Sequence, residues 1–249
     1  MNILITAGNT AAPIDRVRVV TNVFTGRTGA DIARTAWMRG HRVTVLTSHP
    51  ELLADLPDPA ADSERRVTVV PYKTFDDLAG LMQGEVRKNA YDAIVHSAAV
   101  SDYLSAGVYA TAVGTVFNAR TRQWERHGAP PMMAEHKAGK IKSSEPELWF
   151  RMVRAPKLVD RLRTPWGFTG LLVKFKLEVG MTEAELLSVA EKSRLQSAAE
   201  LMVANTLDDA KHTAYLGPVD GRYERVSRRE LAERLLLTVE HLWRERGQP

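Results

Sequence analysis

Cysteine is absent from the 249 residues. That excludes a disulfide framework, a thiolate metal centre and a cysteine nucleophile, and it fits a reducing compartment. Aromatic residues are sparse at 7%, and no zinc-finger or RNP-type motif sets them among basic residues, so nucleic acid is not an expected partner. No apolar run approaches the roughly 18 residues needed to span a bilayer. The opening residues lack the basic, apolar, small-residue series of a secretory leader. A cytoplasmic protein without a membrane partner is therefore expected. Charge of one sign is never striped: 34 Lys and Arg are scattered among 30 Asp and Glu, leaving a net charge of +4 and a pI near 9.4. Such a mild excess suits an anionic small substrate.

What is present is an alternation of short β-branched runs with amphipathic stretches. Strands are predicted at Asn2–Thr6, Arg42–Thr47, Val67–Pro71, Ala93–Ser97, Leu148–Val153, Leu171–Phe175 and Leu201–Ala204. Helices are predicted at Arg27–Arg39, Phe75–Asn89, Pro156–Leu162, Glu183–Ala198 and Arg228–Arg246. Runs such as Val-Thr-Val-Leu and Ala-Ile-Val-His are apolar on both faces, as parallel strands covered by helices must be. The fold class that follows is α/β, a Rossmann-like doubly wound and mostly parallel sheet. Its ligand is expected at the carboxyl ends of the strands. Thr213–Leu216 and Arg222–Val226 flank Gly217-Pro-Val-Asp-Gly221 and predict a hairpin ahead of the last helix. Two segments break the rhythm. Leu53–Arg65 is rich in Pro, Ala and Asp and reads as a surface loop. Ser105–Ser144 is long and irregular, with Tyr109–Phe117 alternating like an extended arm, and it reads as a lid or arm insert. The chain is expected to form a single domain, 1–249, with 105–144 as that insert.

Four stretches could carry chemistry. In the first, the strand Asn2–Thr6 opens into a loop with Gly8, Gly26 and Gly29 before the helix from Arg27. Glycines at a strand-to-helix passage let backbone N–H groups approach phosphate oxygens; plain turn geometry is the competing explanation. A nicotinamide-dependent reductase would need G-x-G-x-x-G here and an acid closing the second strand. The chain instead reads Ala-Gly-Asn-Thr, and its second strand ends Leu46-Thr-Ser-His49. The second stretch is His96-Ser-Ala-Ala-Val-Ser-Asp-Tyr103, where small residues leave room for a flat base. Asp102 would accept from the nucleotide there, or else cap a following helix. His96 reads as a packed strand histidine rather than a catalyst. The third is Lys140-Ile-Lys142, a pair of cations able to close over a triphosphate, or a solvated basic loop. Lys192, on a helix, has the same ambiguity. The fourth is Val203-Ala-Asn205-Thr206, where Asn205 bridges loops at the sheet edge or caps a turn.

In their order these stretches resemble phosphopantothenoylcysteine synthetase, in its stand-alone bacterial form without a fused flavin decarboxylase. The series is Ile5-Thr-Ala-Gly-Asn-Thr, Pro13-Ile-Asp15-Arg-Val-Arg18, Thr21-Asn22, Thr25-Gly26 with Gly29, and Ser97-Ala-Ala-Val-Ser-Asp102-Tyr. It continues with Lys140-Ile-Lys142, Val153-Arg-Ala-Pro156, Phe175, Lys192 and Val203-Ala-Asn205. The resemblance implies a ligase of coenzyme A biosynthesis. Such an enzyme activates 4′-phosphopantothenate with CTP, or with ATP as the alternative, releases pyrophosphate and joins the acyl-nucleotide to L-cysteine. It also implies Mg²⁺ and a homodimer, with Tyr109–Phe117 as the exchanged element. Asn22 then corresponds to the asparagine tied to conversion of the acyl-nucleotide, and Lys140 to the lid lysine on the triphosphate. Ala98, Ala99 and Asp102 correspond to the base-and-ribose loop, and Val153, Arg154, Ala155 and Pro156 to a second nucleotide loop. Phe175 corresponds to a phenylalanine beside the nucleotide, Lys192 to a helix lysine on the phosphates, and Gly8, Gly26 and Gly29 to the phosphate-facing loop.

The chain departs from that pattern at Asn9, where a second glycine is usual, and at Lys174, where a glycine precedes the phenylalanine. It departs again at Gln196, the place of a second helix lysine, and at Thr206, the place of an aspartate. Lys174 is expected to supply the charge that Gln196 lacks. The competing readings are an NAD(P)-dependent Rossmann reductase and a non-catalytic nucleotide-binding paralogue.

Overall fold

The computed structural model describes residues 1–56, 67–135, 141 and 145–247. Its strands are β1 (Asn2–Ala7), β2 (Ala11–Pro13), β3 (Val19–Thr21), β4 (Arg42–Thr47), β5 (Val67–Pro71), β6 (Ala93–His96), β7 (Tyr103–Thr111) and β8 (Thr115–Asn118). They continue with β9 (Gln123–Arg126), β10 (Met133–Glu135), β11 (Trp149–Arg154), β12 (Leu171–Glu178), β13 (Leu201–Thr206), β14 (Thr213–Val219) and β15 (Arg222–Ser227). The helices are α1 (Arg27–Met38), α2 (Phe75–Lys88), α3 (Leu158–Arg161), α4 (Glu183–Gln196) and α5 (Leu231–Glu245). Contacts divide the chain into two compact units. One comprises Met1–Thr10, Val23–Val100 and Lys157–Pro249, the other Ala11–Asn22 and Ser101–Pro156.

The first unit is built on an eight-stranded sheet in the order β15-β14-β13-β12-β6-β1-β4-β5. The six strands from β13 to β5 are mutually parallel, and β14 and β15 continue as an antiparallel hairpin. Ile3, Leu4 and Ile5 of β1 are wholly buried, because a central parallel strand has helices over both faces. Ile3, Ile5, Val43, Val45, Val95 and Val173 form one core with Ile32 and Ala33 of α1 and Leu235, Leu236 and Val239 of α5. On the opposite face Met202 and Ala204 pack with Leu186 and Ala190 of α4. The doubly wound sheet is thus as expected. Strand order turns back at β1, with β4 on one side and β6 on the other, and ligands of such sheets bind at that point, beyond the carboxyl ends of the strands.

The second unit holds a three-stranded sheet, β10-β7-β11, with the hairpins β2-β3 and β8-β9. Phe117, Trp124 and Trp149 cluster with ring centroids 4.5 to 4.9 Å apart. The expected insert over 105–144 falls within this unit. Tyr109–Phe117 is not one extended arm. Its first residues end β7, a turn closes with Thr115 N–H on Ala112 O at 2.8 Å, and β8 begins. Gly114 turns the chain there with φ +81°, a backbone that side chains resist.

Other boundaries moved for local reasons. The helix expected over Pro156–Leu162 shrinks to Leu158–Arg161, since Lys157 is still extended. The last helix starts at Leu231, after a turn in which Glu230 N–H bonds Ser227 O at 3.2 Å. Of the loop expected at Leu53–Arg65, Leu53 is buried at the end of a single 3-10 turn, and residues 57–66 lie outside the described residues. The helices α2 and α4 start where expected because Thr74 with Asp77, and Thr182 with Glu185, form reciprocal capping boxes. Replacing Thr182 by Ala is expected to lower unfolding stability by about 1 kcal/mol, read as a lower urea midpoint with an unchanged slope.

Candidate active site

At the turning point of the first unit, the loops after β1 and β6 are laced together by backbone. Ala99 N–H donates to Gly8 O at 2.8 Å, and Asn9 bridges Ala99 as a parallel pair. Ser97 Oγ donates to Thr6 O at 2.7 Å, and Tyr72 Oη donates to Ala7 O at 2.8 Å. Ser48 Oγ accepts from Asn9 N–H at 2.9 Å and donates to Asn9 Oδ1 at 3.0 Å. The glycines do more than turn the chain. Gly26, with φ +86°, stands at the start of α1, and a Cβ on it would lie 2.7 Å from Gly8 Cα. A Cβ on Gly29 would lie 2.6 Å from Ala7 Cβ. Both would force α1 off β1, so the two glycines let the helix start against the strand end. Gly8, Gly26, Gly29, Ala98 and Ala99 are therefore brought to one rim. Asn9, standing where a glycine is usual, is held by Ser48. Thr47 and Ser48 close β4 without the carboxylate that a dinucleotide ribose requires.

Behind the rim lies a buried polar chain. Lys174 sits on β12 beside His96 of β6. Its ammonium donates to Ser193 O at 3.0 Å and Ser197 Oγ at 2.6 Å, and Ser197 Oγ donates to Asp160 at 2.7 Å. Burial lowers the Lys174 pKa, and the Asp160 charge opposes that. This corrects the expectation that Lys174 replaces a phosphate-binding lysine: its charge is turned into the last turn of α4, where carbonyls favour a cation. Gln196 also faces Asp160, with Nε2 at 3.3 Å. His96 is buried and bonded to Thr6 Oγ1 at 2.9 Å. Burial first, then the nearby Lys174 charge, pushes its pKa down to about 4. It is a packed strand histidine, as expected. Phe175 is partly buried against the main core, Lys192 is on the exposed side of α4, and Asn205 and Thr206 lie inside β13 rather than in a turn after it.

In the second unit, β7 and β11 pair antiparallel, which sets Asp102, just before β7, opposite Val153–Pro156 at the end of β11. Ala155 N–H donates to Asp102 O at 2.8 Å. A strand and not a helix follows Asp102, so the helix-cap reading is discarded. Asn22 follows β3 directly. Lys140 and Lys142 lie outside the described residues. Ile141 between them is described and buried. Asp15 and Arg18, in the turn of the β2-β3 hairpin, grip it by both backbone groups. Asp15 Oδ2 accepts from Ile141 N–H at 3.1 Å, and Arg18 donates to Ile141 O at 3.1 Å. Arg18 also pairs with Asp15 at 2.6 Å. That guanidinium, then the Val17 N–H, holds the Asp15 carboxyl well below the usual range. This clamp had no assigned role in the sequence. Its signals were the phrase Pro13-Ile-Asp15-Arg-Val-Arg18 in the resemblance and Asp-x-x-Arg in a turn, a pattern that caps itself in many loops.

Residues 1–112 match the family described as the DNA/pantothenate metabolism flavoprotein C-terminal domain. The structure superimposes on the DNA/pantothenate metabolism flavoprotein from Streptococcus pneumoniae with a TM-score of 0.74 at 28% identity, over 97% of this chain and 99% of the other. The chain is similar to this family over its first 112 residues. The coenzyme A biosynthesis bifunctional protein CoaBC of Thermococcus kodakarensis is 29% identical over 248 residues, 96% of this chain and 51% of its own length. That of Mycobacterium tuberculosis is 40% identical over 108 residues, 43% of this chain and 23% of its own length. The resemblance to phosphopantothenoylcysteine synthetases is thereby borne out, and the chain spans about half the length of the first of these relatives.

Two outcomes test the geometry. His96 has a folded pKa of about 4 against 6.5 unfolded, so its contribution is complete above about pH 6.5 and drains away as pH falls towards 4. The full loss is on the order of 3 kcal/mol. The stability difference between wild type and His96→Gln, measured by urea unfolding, should shrink by that order across this window. Asp15→Ala should abolish hydrogen-exchange protection of the Ile141 amide and leave that of Leu4 intact.

Proposed function

We propose that the chain is a nucleoside-triphosphate-dependent ligase that joins 4′-phosphopantothenate to L-cysteine in coenzyme A biosynthesis. The observation that supports this most is the backbone-lined rim at the turning point of the sheet, in a chain similar to this family. Gly8, Gly26, Gly29, Ala98 and Ala99 offer little side chain there, so a nucleotide can lie against main-chain N–H and C=O groups. Asp102 and Val153–Pro156, already paired in the second unit, are assigned to the nucleotide by resemblance, as are Phe175 and Lys192.

In the first step the pantothenate carboxylate attacks the α-phosphorus, and the bond to the β-phosphate oxygen breaks, so pyrophosphate leaves. In the second the cysteine amine attacks the acyl carbon. The nucleoside monophosphate departs with the electron pair of the broken acyl–oxygen bond, and the amine loses a proton. The first step sets a carboxylate against an already anionic phosphate and needs fixed positive potential. Lys140 is assigned to it. The second needs the acyl group held for the amine, and the Asn22 amide is assigned to that. Mg²⁺, when bound, would neutralise phosphate charge. Among the described residues no group of three or more His, Asp or Glu forms a cage for it, and Mg²⁺ that arrives with a nucleotide keeps mostly phosphate and water oxygens. CTP is the expected nucleotide, ATP the alternative, and the enzyme is expected to act as a homodimer.

A pyrophosphate-release assay with 4′-phosphopantothenate, run with CTP and with ATP and with or without cysteine, tests the reading. Wild type should release pyrophosphate before cysteine is added. Lys140→Gln should reduce release at least a hundredfold, on the order expected for a lost transition-state charge. Asn22→Ala should still release pyrophosphate but accumulate acyl-nucleotide. Normal amide formation by Asn22→Ala would discard its role, and no nucleotide-dependent release by wild type would discard the activity.

A further inference from the structure

One cation at the rim of the first unit has no part in the reaction above. β15 is parallel to β13, since both are antiparallel to the intervening β14. Its end at Ser227 therefore lies at the same rim as the ends of β1, β6, β12 and β13. Arg228 follows at once. Its backbone N–H donates to His212 O at 2.8 Å, which fixes the root of the side chain. Its guanidinium donates to Thr28 Oγ1, one residue inside the start of α1 and two beyond Gly26.

Arg228 differs in its partner from four other partly buried arginines of the unit. Arg34, Arg39, Arg163 and Arg194 each hold a carboxylate within 2.8 Å. Among the described residues, Arg228 holds only the neutral hydroxyl of Thr28. Burial lowers its pKa, and Asp31 opposes this only through space. Asp31 is itself paired with Arg34 at 3.2 Å. The first turn of α1 contains no acidic residue, and Gly26 contributes no side-chain cap. A cation held partly out of water without a counter-ion is costly to maintain, and an anion docking beside it offsets that cost. The chain also lacks a second lysine at Gln196, and Lys174 is spent on Ser193, Ser197 and, through Ser197, Asp160.

We infer that Arg228 is a binding residue for a phosphoryl group of one of the two substrates, gripping it with the donors that Thr28 leaves unused. The inference rests on the ligase reading. Both the nucleoside triphosphate and 4′-phosphopantothenate carry the required chemistry, and the planar fork of an arginine matches two phosphoryl oxygens.

Titration calorimetry decides it, with CTP, ATP and 4′-phosphopantothenate added separately to wild type, Arg228→Gln and Arg228→Lys, and with thermal midpoints recorded to establish that each variant is folded. Glutamine keeps a polar amide at the position while removing the charge. Arg228→Gln should bind one of the substrates about tenfold more weakly or worse, as expected for one charged hydrogen-bonding partner, and the affected substrate identifies the phosphoryl group. Arg228→Lys should lie between the two. Should Arg228→Gln fail to fold, Arg228→Lys decides alone: a several-fold loss is expected from the lost fork, and unaltered affinity overturns the inference. Equal affinity of wild type and Arg228→Gln for all three ligands overturns the inference and leaves the ligase reading standing. A wild type that binds none of them removes both.

Discussion

The first unit depends on the contact of backbone with backbone where α1 begins. Gly26 is seated on Gly8, and Gly29 against Ala7 and Ser97, with no room for a Cβ at either. A larger residue would lift the helix from the strand and open the loop that Ser48, Tyr72 and Ala99 hold closed. The helix end and the two loops at the turning point are therefore one object. It is held by the Ala99 N–H on Gly8 O and by the Ser48, Tyr72 and Ser97 hydroxyls, while the glycines and alanines between them present little side chain. That is the condition under which N–H groups can face an anion without flexible side chains competing for it.

The buried chain of Lys174, Ser197 and Asp160 shows how a departure from a family pattern can be absorbed structurally. A lysine where a glycine is usual would be unfavourable against apolar neighbours. Here it meets two oxygens at the end of α4 and, through Ser197, a carboxylate. Such oxygen partners are what make a buried cation tolerable. Neighbouring His96 stays neutral because burial first, and then the Lys174 charge beside it, disfavours a second cation there.

Much of the first unit was legible because its central strands are apolar on both faces and its helices alternate with them as amphipathic stretches. Phe75 and Glu183 begin helices where expected, and the structure shows Thr74 and Thr182 capping them. The second unit was harder to read. Strands such as Ala11–Pro13, Thr115–Asn118 and Met133–Glu135 are three or four residues long and partly exposed, so no periodicity accumulates. Asp102 looked equally like a cap or a ligand, because only pairing with Ala155, some fifty residues later, shows that a strand follows it. The Lys174 expectation failed for a related reason. A sequence shows that a charge exists but not which way it points, and the answer lay on α3 and α4, outside its own segment.

The Asp15–Ile141 hydrogen bond joins residues 126 positions apart. At a synthesis rate of about 5–20 residues per second, the ribosome delivers the second partner roughly 6 to 25 s after the first. Through that interval the β2-β3 hairpin has its own turn but not the strand partners that enclose it, and Asp15 can meet only Arg18 and nearby N–H groups. The unit that depends on this bond is thus finished late, by closing a long loop, whereas β1, α1, β4, β5, α2 and β6 are all encoded within the first hundred residues and can begin to assemble while the remainder is still being made.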